Sequence, residues 1–234
     1  MKISHLSISN FRGIKSASLF LPNHALLIGD NNTGKSTILE AIDLVLGPDR
    51  LSRRPPIDEH DFHLGNYLSP TSTPEPAEGG TPAEASGSIF RCRRTVDPPI
   101  VIVATVTNLL QEQRAKFGDH YLEWWSEKRQ ALFAEPDPAG LDAADITSAL
   151  RITFIGKYDE DEDDFVGETY YTRSLTEAAK PEVFTKKNKQ LCGFLYLRSL
   201  RTGSQALSLE HGSLLDIILR LKEIRPQMWE GDAR

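Results

Sequence analysis

The chain has 234 residues, of which 39% are hydrophobic. This apolar fraction is enough for a folded core, so a wholly disordered chain is excluded. The formal net charge is −6, from 27 Lys and Arg against 33 Asp and Glu. This balance excludes a protein that coats nucleic acid or an anionic membrane through bulk positive charge. Any contact with nucleic acid must be local or made by another domain.

Cysteine usage and the N-terminal sequence bear on the compartment. Two cysteines, Cys92 and Cys192, are too few for a disulfide framework or a cysteine-rich zinc site. The first eleven residues alternate polar and apolar side chains and lack the apolar core of a secretory signal. The sequence contains no run of about 18 apolar residues, which is the length that a helix needs to span a bilayer. We therefore expect a protein of the reducing cytoplasm with no membrane role.

The N-terminal 50 residues predict a hairpin, a buried strand and a helix. Residues 3–8 and 17–21 read as two short strands joined by a turn at residues 10–13. The continuous apolar run at residues 25–28 is typical of a strand buried on both faces of a sheet. From Ser36 onward, apolar residues recur at helical spacing until a Gly-Pro pair gives a stop signal.

The middle of the chain predicts an insertion, further strands and helices. Residues 66–88 are predicted to be a flexible insertion, because nearly all of them are Ser, Pro, Thr, Glu, Ala or Gly. The β-branched runs at residues 89–95 and 100–107 predict a second sheet region. Helical spacing over residues 109–132 predicts two helices, broken near Gly118.

The last third predicts another hairpin, then a strand and a helix. Residues 150–158 and 165–173 read as paired strands, joined by six consecutive acids at residues 159–164. These acids repel one another and therefore belong in water. Residues 194–197 predict a strand, and residues 207–221 predict a helix.

One motif carries the chemistry, and it reads Gly29-Asp30-Asn31-Asn32-Thr33-Gly34-Lys35-Ser36. It matches the phosphate-binding loop pattern G-x-x-x-x-G-K-[ST] and lies between the predicted buried strand and the predicted helix, the context that this pattern requires. Its backbone N–H groups can surround a phosphate, because glycine permits the necessary angles and a close approach. The helix N-terminus adds partial positive charge. The motif predicts a nucleotide site.

Within this site the residues have separate expected roles. We expect Lys35 to reach the β- and γ-phosphates as a point charge, Ser36 to place its hydroxyl on Mg²⁺, and Thr37 to bond another phosphate oxygen. The predicted cofactors are ATP and Mg²⁺. A strand-to-helix turn without a ligand is the alternative, and the flanking elements argue against it. The cofactor-binding residues predicted from the loop and helix are Gly29, Asn31, Asn32, Thr33, Gly34, Lys35, Ser36 and Thr37.

Around this motif the sequence resembles the ABC-type ATPase heads of the SMC and RecF group. The resemblance is carried by residues 6–14 (LSISNFRGI), 27–37 (LIGDNNTGKST) and 39–42 (LEAI). Within that group the chain is most similar to the N-terminal ATPase half of OLD-family (overcoming lysogenization defect) ATP-dependent endonucleases. Supporting similarity lies at residues 61–62, 194–201 and 212–215.

The resemblance implies an α/β fold of the P-loop NTPase class. It implies the first lobe of an ABC ATPase-like head, with a mixed sheet, an antiparallel β subdomain and flanking helices. Such heads dimerise with nucleotide at the interface, and full-length relatives couple them to a C-terminal Toprim nuclease acting on DNA. Arg12 of the N-F-R-G turn is then expected to contact the base or phosphate region of the nucleotide, with Asn10 shaping the turn. A solvated hairpin arginine is the alternative.

The sequence departs from this family by what it lacks. It contains no L-S-G-G-Q-like signature, no four-residue apolar run ending in Asp-Glu and no identifiable Q-loop glutamine. No complete catalytic set is therefore expected in this chain, since phosphoryl transfer needs positioned charge and an oriented water. We expect residues 1–234 to be an incomplete ABC-type ATPase domain, a fragment or a natural truncation, that binds ATP better than it hydrolyses it. A homodimer or a partner polypeptide carrying the rest of the ATPase is expected.

Two functions remain open on these residues. The first is the ATP-binding lobe of an OLD-like ATP-dependent DNA endonuclease or ATPase, in DNA repair or defence against phage, with DNA as a candidate partner. The second is a truncated SMC/RecF-like module that binds ATP without turnover and has a regulatory or assembly role. A downstream reading frame encoding a signature motif, an Asp-Glu pair and a Toprim domain would favour the first.

Weaker patterns each have a structural alternative. A close group of acids and histidines could ligate a metal, although a solvated loop is the favoured interpretation; it comprises Asp58, His60, Asp61 and His63. Two basic clusters could contact phosphates of DNA, although a solvent-exposed surface without a nucleic-acid partner is the favoured interpretation. The first cluster is Arg91, Arg93 and Arg94, and the second is Lys186, Lys187 and Lys189. Arg198 and Arg201 could face a ligand crevice or form ordinary ion pairs.

Overall fold

The structure, a computed structural model, describes residues 1–48, 50, 55–70, 94–96, 98–133, 145–177 and 180–196. The chain divides into two compact units, Met1–Phe194 and Leu195–Arg234. Almost all of the described residues belong to the first unit, and the fold below is that of this unit. None of the helices in these ranges is long and apolar enough to cross a membrane.

The described elements are mostly strands. The strands are β1 (Lys2–Phe11), β2 (Ile14–Phe20), β3 (Leu68–Pro70), β4 (Arg94–Val96), β5 (Ile100–Thr107), β6 (Leu122–Ser126), β7 (Ala131–Phe133), β8 (Ile146–Asp159) and β9 (Asp164–Tyr171). The helices are α1 (Lys35–Leu46), α2 (Gln111–Phe117), α3 (Thr172–Glu177) and α4 (Lys186–Cys192). Short 3-10 turns lie at Glu59–Asp61, His63–Gly65 and Asp119–Tyr121.

Seven of the strands form one antiparallel sheet in the order β2-β1-β5-β8-β6-β7, with β9 also paired to β8. The 14-residue β8 pairs with β6 along its first part and with β9 along its second. The resemblance implies a mixed sheet, whereas every described pairing is antiparallel. The β-branched run at residues 100–107 does not begin a second sheet, because β5 lies between β1 and β8 in the same sheet. The pair β3 and β4 forms a separate small ladder.

The core lies between one face of this sheet and α1. Residues opposite one another in register share a face of the sheet, so the alternate apolar residues of β1, β5 and β8 make one buried surface. That surface comprises Leu6, Ile8, Ile102, Ala104, Val106, Leu150, Ile152 and Phe154. Helix α1 contacts β1, β5 and β8 and buries Ala41, Ile42, Leu44, Val45 and Leu46. Each large apolar side chain buried here contributes roughly 1.5–3 kcal/mol.

Both predicted hairpins and the predicted helix are confirmed. Strands β1 and β2 pair up to Phe11 and Ile14, so the turn consists of Arg12 and Gly13. Strands β8 and β9 pair up to Asp159 and Asp164, and the acids at residues 160–164 are exposed to solvent. Helix α1 ends at Gly47, whose N–H donates to the carbonyl of Asp43. Local patterning was sufficient for these three elements.

Residues 25–28 do not form the predicted buried strand. Leu26 and Ile28 are 82% and 86% exposed, and none of the described strands pairs with this segment. A strand buried on both faces needs neighbouring strands and a cover on each face. The described part of the chain supplies neither, so the apolar run stays in solvent.

The second predicted helix after Gly118 is also wrong. Residues 122–126 and 131–133 form β6 and β7, in which Trp125 pairs with Leu132. Helical spacing of a few aromatic and apolar residues is ambiguous in short segments. Pairing with β8 decides the outcome here. Residues 194–196 likewise carry no regular structure, in contrast to the predicted strand.

Several sequence predictions lie outside the described residues. They are the insertion from residue 71 to 88, the side chains of the basic cluster at residues 91–94, the arginines at 198 and 201, and the helix at 207–221.

A buried lysine ties α4 to the C-terminal end of α1. Lys189 Nζ donates to the carbonyl oxygen of Leu44 at 2.9 Å, and the residue is 2% exposed. Lys186 and Lys187 are exposed, so the predicted basic cluster does not include Lys189 as a surface residue. Burial lowers the pKa of Lys189 to about 7, against the opposing effects of Asp43 and Cys192. The lysine satisfies a carbonyl that the end of a helix leaves unpaired.

Two facing glycines make room for side chains against the sheet. Gly156 of β8 and Gly167 of β9 pair across the strands. A Cβ at Gly156 would lie 2.6 Å from Cδ1 of Ile57, and a Cβ at Gly167 would lie 2.7 Å from Cζ of Phe154.

We predict that Gly156→Ala lowers the free energy of unfolding by about 1–3 kcal/mol through overpacking, measured by urea denaturation. Gly13→Ala is the control, because no heavy atom lies within 4 Å of its Cβ position. Equal losses in both variants would contradict the packing described.

Lys189→Met is predicted to remove a pH dependence of stability. In the native protein Lys189 loses its proton near pH 7, whereas its ordinary pKa is 10.5. Between pH 7 and 9 the unfolded chain therefore binds more protons, and stability rises with pH. Between pH 7 and 9 we expect the free energy of unfolding of the wild type to rise by about 2 kcal/mol relative to that of the variant. Urea unfolding of both proteins at pH 7, 8 and 9 measures this, and parallel pH profiles would show the prediction to be wrong.

Candidate functional site

The predicted phosphate-binding loop leads directly into α1. Lys35 is the first residue of α1, and Gly34 precedes it as the N-cap with φ 88°, in the left-handed region that favours glycine. A Cβ at Gly29 would lie 2.9 Å from Thr33 Oγ1, so glycine leaves room here for the Thr33 hydroxyl. Asn32 also has a positive φ, of 66°. The loop thus has the backbone that its glycine pattern predicts.

The ammonium group of Lys35 lies on the carbonyls of its own loop. Lys35 Nζ donates to the carbonyl oxygens of Gly29 at 2.8 Å and Asp30 at 2.5 Å. The Thr33 hydroxyl donates to the same Asp30 carbonyl at 2.9 Å and lies 3.4 Å from the Lys35 ammonium. Main-chain carbonyls therefore hold one full positive charge at the loop.

The first turn of α1 leaves backbone donors without an intrahelical partner. The N–H of Ile38 donates to the Gly34 carbonyl at 3.0 Å and closes the first turn. The preceding N–H groups, of Lys35, Ser36 and Thr37, have no partner inside the helix. The N-cap residue, Gly34, has no side chain that could cap this helix end. Three donors, the helix dipole and the Lys35 charge together favour an anion here.

This donor set fits a polyphosphate with Mg²⁺. Ser36 is exposed in the first turn of α1, so its hydroxyl is accessible as a metal ligand. Among the residues that the structure describes, no group of three or more His, Cys, Asp and Glu side chains could hold a metal ion. The coordination of Mg²⁺ by the Ser36 hydroxyl stays a prediction.

The other polar residues predicted for the loop are exposed or half-buried. Asn31 and Asn32 are exposed, and the described residues provide neither side chain with a hydrogen-bond partner. Thr37 is half-buried on the first turn of α1. Their contacts with nucleotide stay predictions.

Arg12 lies at the tip of the first hairpin, with φ 49°. Its N–H donates to the Asp61 carbonyl at 2.8 Å, and its own carbonyl accepts from Nδ1 of His63 at 2.8 Å. Phe11 forms a β-bridge to Phe62 beside these bonds. The 3-10 turns at residues 59–65 therefore hold the hairpin tip in a conformation that is uncommon for a residue with a Cβ.

The guanidinium of Arg12 joins two carboxylates. Its Nε–H donates to Asp61 Oδ1 at 2.7 Å, and its Nη1 forms an ion pair with Glu40 of α1. Burial alone would lower the pKa of Arg12, but the hydrogen bonds and charges of Asp61 and Glu40 raise it above its ordinary value. The predicted contact of Arg12 with nucleotide stays a prediction. Sequence reasoning missed the Glu40 partner, whose only signal was the acid in the L-E-A-I segment.

Asn10 ties the hairpin to the start of β5. It has φ 56°, and its Nδ2 donates to the carbonyl oxygen of Pro98 at 2.5 Å. The side chain thus contacts the backbone just before β5 begins at Ile100.

The acids and histidines at residues 58–63 have other partners than a metal. Asp58 Oδ1 accepts from the N–H of His60 at 2.9 Å, and Asp61 binds Arg12. His63 binds the Arg12 carbonyl, whereas the ring of His60 is exposed beside Glu59. The turn supports Arg12, which the sequence did not predict.

A comparison with a known protein gives a short match. A 49-residue segment, 21% of this chain, is 43% identical to the uncharacterized protein YbjD of Escherichia coli (strain K12). The match covers 9% of that protein, far less than two thirds of its length.

A family model matches much more of the chain. Residues 1–196 match the model described as "AAA ATPase domain". This span includes the hairpin tip, the phosphate-binding loop, α1 and the sheet on which α1 packs. The chain therefore belongs to the AAA ATPase domain family, which supports an ATP-binding ATPase function.

Proposed function

We propose that this chain binds ATP through residues 29–37, with Mg²⁺ held at Ser36. The observation that carries the proposal is the position of the Lys35 ammonium, on the carbonyls of Gly29 and Asp30 beside the open first turn of α1. A phosphate at this place would accept charge-assisted hydrogen bonds from Lys35, which are stronger than those to a neutral carbonyl.

Each group of this site has one task in binding. The backbone N–H groups of residues 35–37 surround a phosphate, and Lys35 neutralises the β- and γ-phosphates. The Ser36 hydroxyl orients the metal, and Thr37 bonds a further phosphate oxygen. When bound, Mg²⁺ neutralises charge on the phosphate oxygens. Asn31, Asn32 and Thr33 lie at the open side of the loop and are proposed to contact the ligand there.

We also propose that the chain is the ATP-binding lobe of an OLD-like ATP-dependent DNA endonuclease, acting in DNA repair or phage defence. Support comes from the residues around the loop and from the Asp61-Phe62 segment, which is similar to that family's pattern. In the structure this segment contacts the hairpin tip, since Asp61 binds Arg12 and Phe62 bridges to Phe11.

Turnover is proposed to need residues that this chain does not supply. The sequence contains neither the signature motif nor a four-residue apolar run that ends in Asp-Glu. The exposed Leu26 and Ile28, just before the loop, support a neighbour that covers them, either a second copy of this chain or a partner polypeptide. The same observations favour the second candidate function, an ATP-binding module with a regulatory or assembly role.

Lys35→Ala is predicted to weaken ATP binding about 10- to 100-fold, since it removes a charged donor worth roughly 1.5–3 kcal/mol. Isothermal titration calorimetry with Mg-ATP measures the change, and circular dichroism checks that the fold is retained. Lys15→Ala is the matched control, because Lys15 is an exposed lysine of β2 outside the site. Unchanged affinity in Lys35→Ala would overturn the proposed site.

The isolated chain is predicted to bind ATP without turning it over. At saturating Mg-ATP, phosphate release should equal that of Lys35→Ala within error. Release far above this background would contradict the proposed dependence on a partner, and it would assign a complete ATPase to the chain itself.

A further inference from the structure

The resemblance already implies that Arg12 contacts the nucleotide, but it says nothing of the two carboxylates that pair with this arginine. The ion-pair cluster consists of Arg12 on the hairpin tip, Glu40 on α1 and Asp61 in the neighbouring 3-10 turn. The inference below rests on the proposed binding of ATP at the loop, and it concerns how this cluster responds to that binding.

Helix geometry places the cluster close to the phosphate-binding end of α1. Glu40 follows Ser36 by four residues, so the two side chains share one face of the helix, about 6 Å apart along its axis. Helical side chains lean toward the N-terminus, which brings the Glu40 carboxylate nearer to Ser36. The Arg12 guanidinium, which is paired with Glu40, therefore lies beside the turn that would hold phosphate.

The two carboxylates hold Arg12 in different ways. The side chain of Asp61 is 4% exposed, its Oδ2 also accepts from the N–H of Asp58 at 3.2 Å, and its backbone carbonyl binds the Arg12 N–H. The side chain of Glu40 is 26% exposed, and Arg12 is its one recorded partner among the described residues. The bond to Asp61 is thus fixed on several sides, whereas Glu40 can rotate into water.

Charge gives a reason for the weaker bond to break. Two carboxylates against one guanidinium leave the cluster with a net charge of −1. A polyphosphate at the first turn of α1 adds negative charge nearby and competes with Glu40 for the same donors. Guanidinium donors match phosphate oxygens as well as carboxylate oxygens.

We propose that Arg12 exchanges its ion pair with Glu40 for a phosphate oxygen of the bound nucleotide, while Asp61 keeps its hold on Nε. Asp61 is the positioning residue that aims the guanidinium, and Glu40 is an internal competitor that occupies it until nucleotide binds. The exchange involves hydrogen bonds and ion pairs alone, and no covalent bond changes.

The test is the affinity of the full chain for Mg-ATP, measured by calorimetry. Glu40→Gln removes the competing charge, so ATP should bind about two- to fivefold tighter, the range of a half-exposed ion pair. Asp61→Asn leaves Arg12 less well aimed, so ATP should bind more weakly, about three- to tenfold. The control Glu59→Gln makes the same charge change in the turn of Asp61, at a side chain that is 54% exposed and has no contact with Arg12. Its affinity should equal that of wild type.

Measuring Glu40→Gln in a chain that also carries Arg12→Ala distinguishes the proposed exchange from a structural role of Glu40. In Arg12→Ala, Glu40→Gln should have no effect on ATP affinity, because the guanidinium for which Glu40 competes is gone. An unchanged or weaker affinity in Glu40→Gln overturns the proposal, and so does a gain that persists in Arg12→Ala. Should Glu40→Gln fail to fold, Glu40→Ala takes its place with the same expectation.

Wild type and Lys35→Ala distinguish this failure from that of the site itself. If neither binds ATP, the proposed function falls together with the exchange. If wild type binds and Lys35→Ala does not, while Glu40→Gln brings no gain, the site stands and the exchange alone is overturned.

Discussion

Burial of one face of α1 on the antiparallel sheet determines where the phosphate-binding loop can lie. The side chains from Ala41 to Leu46 pack against β1, β5 and β8, which are joined by continuous antiparallel pairing. Because these contacts lie in the last two turns, they fix the direction of the helix and leave its first turn free. The position of the loop therefore depends on this packing.

The two ends of α1 differ in how their backbone groups are hydrogen-bonded, and the candidate site lies at the open end. At the C-terminal end, Lys189 binds the Leu44 carbonyl and Gly47 closes the last turn. At the N-terminal end the N-cap residue is a glycine without a capping side chain, and Lys35 adds its charge to the open donors. Arg12 lies alongside, held by Asp61 and Glu40. Lys35 and the open backbone donors thus favour an anion at this end of the helix, in a chain whose net charge is negative.

Sequence patterns predicted the parts of this arrangement that depend on neighbours in the chain. The two hairpins, α1 and the glycine pattern of the loop are local, since strand alternation, helical spacing and glycine placement all act over a few residues. The apolar run that includes Leu26 and Ile28 gave a wrong prediction of a buried strand, because burial needs neighbouring strands that the described residues do not contain. The helical spacing of Trp125 and Leu132 gave a wrong prediction, because β6 pairs with β8 on one side and with β7 on the other. The Lys189 contact and the Arg12 cluster join residues about 145 and 50 positions apart, and no local pattern encodes such pairs.

The central claim is that the open first turn of α1 receives a phosphate. The most direct measurement is an NMR titration of the isotopically labelled chain with Mg-ATP, following the backbone amides of Gly34, Lys35, Ser36 and Thr37. The account predicts that these amides shift most and that amides in the middle of β5 and β8 hardly move. Saturable shifts elsewhere on the sheet, with these four amides unchanged, would contradict it.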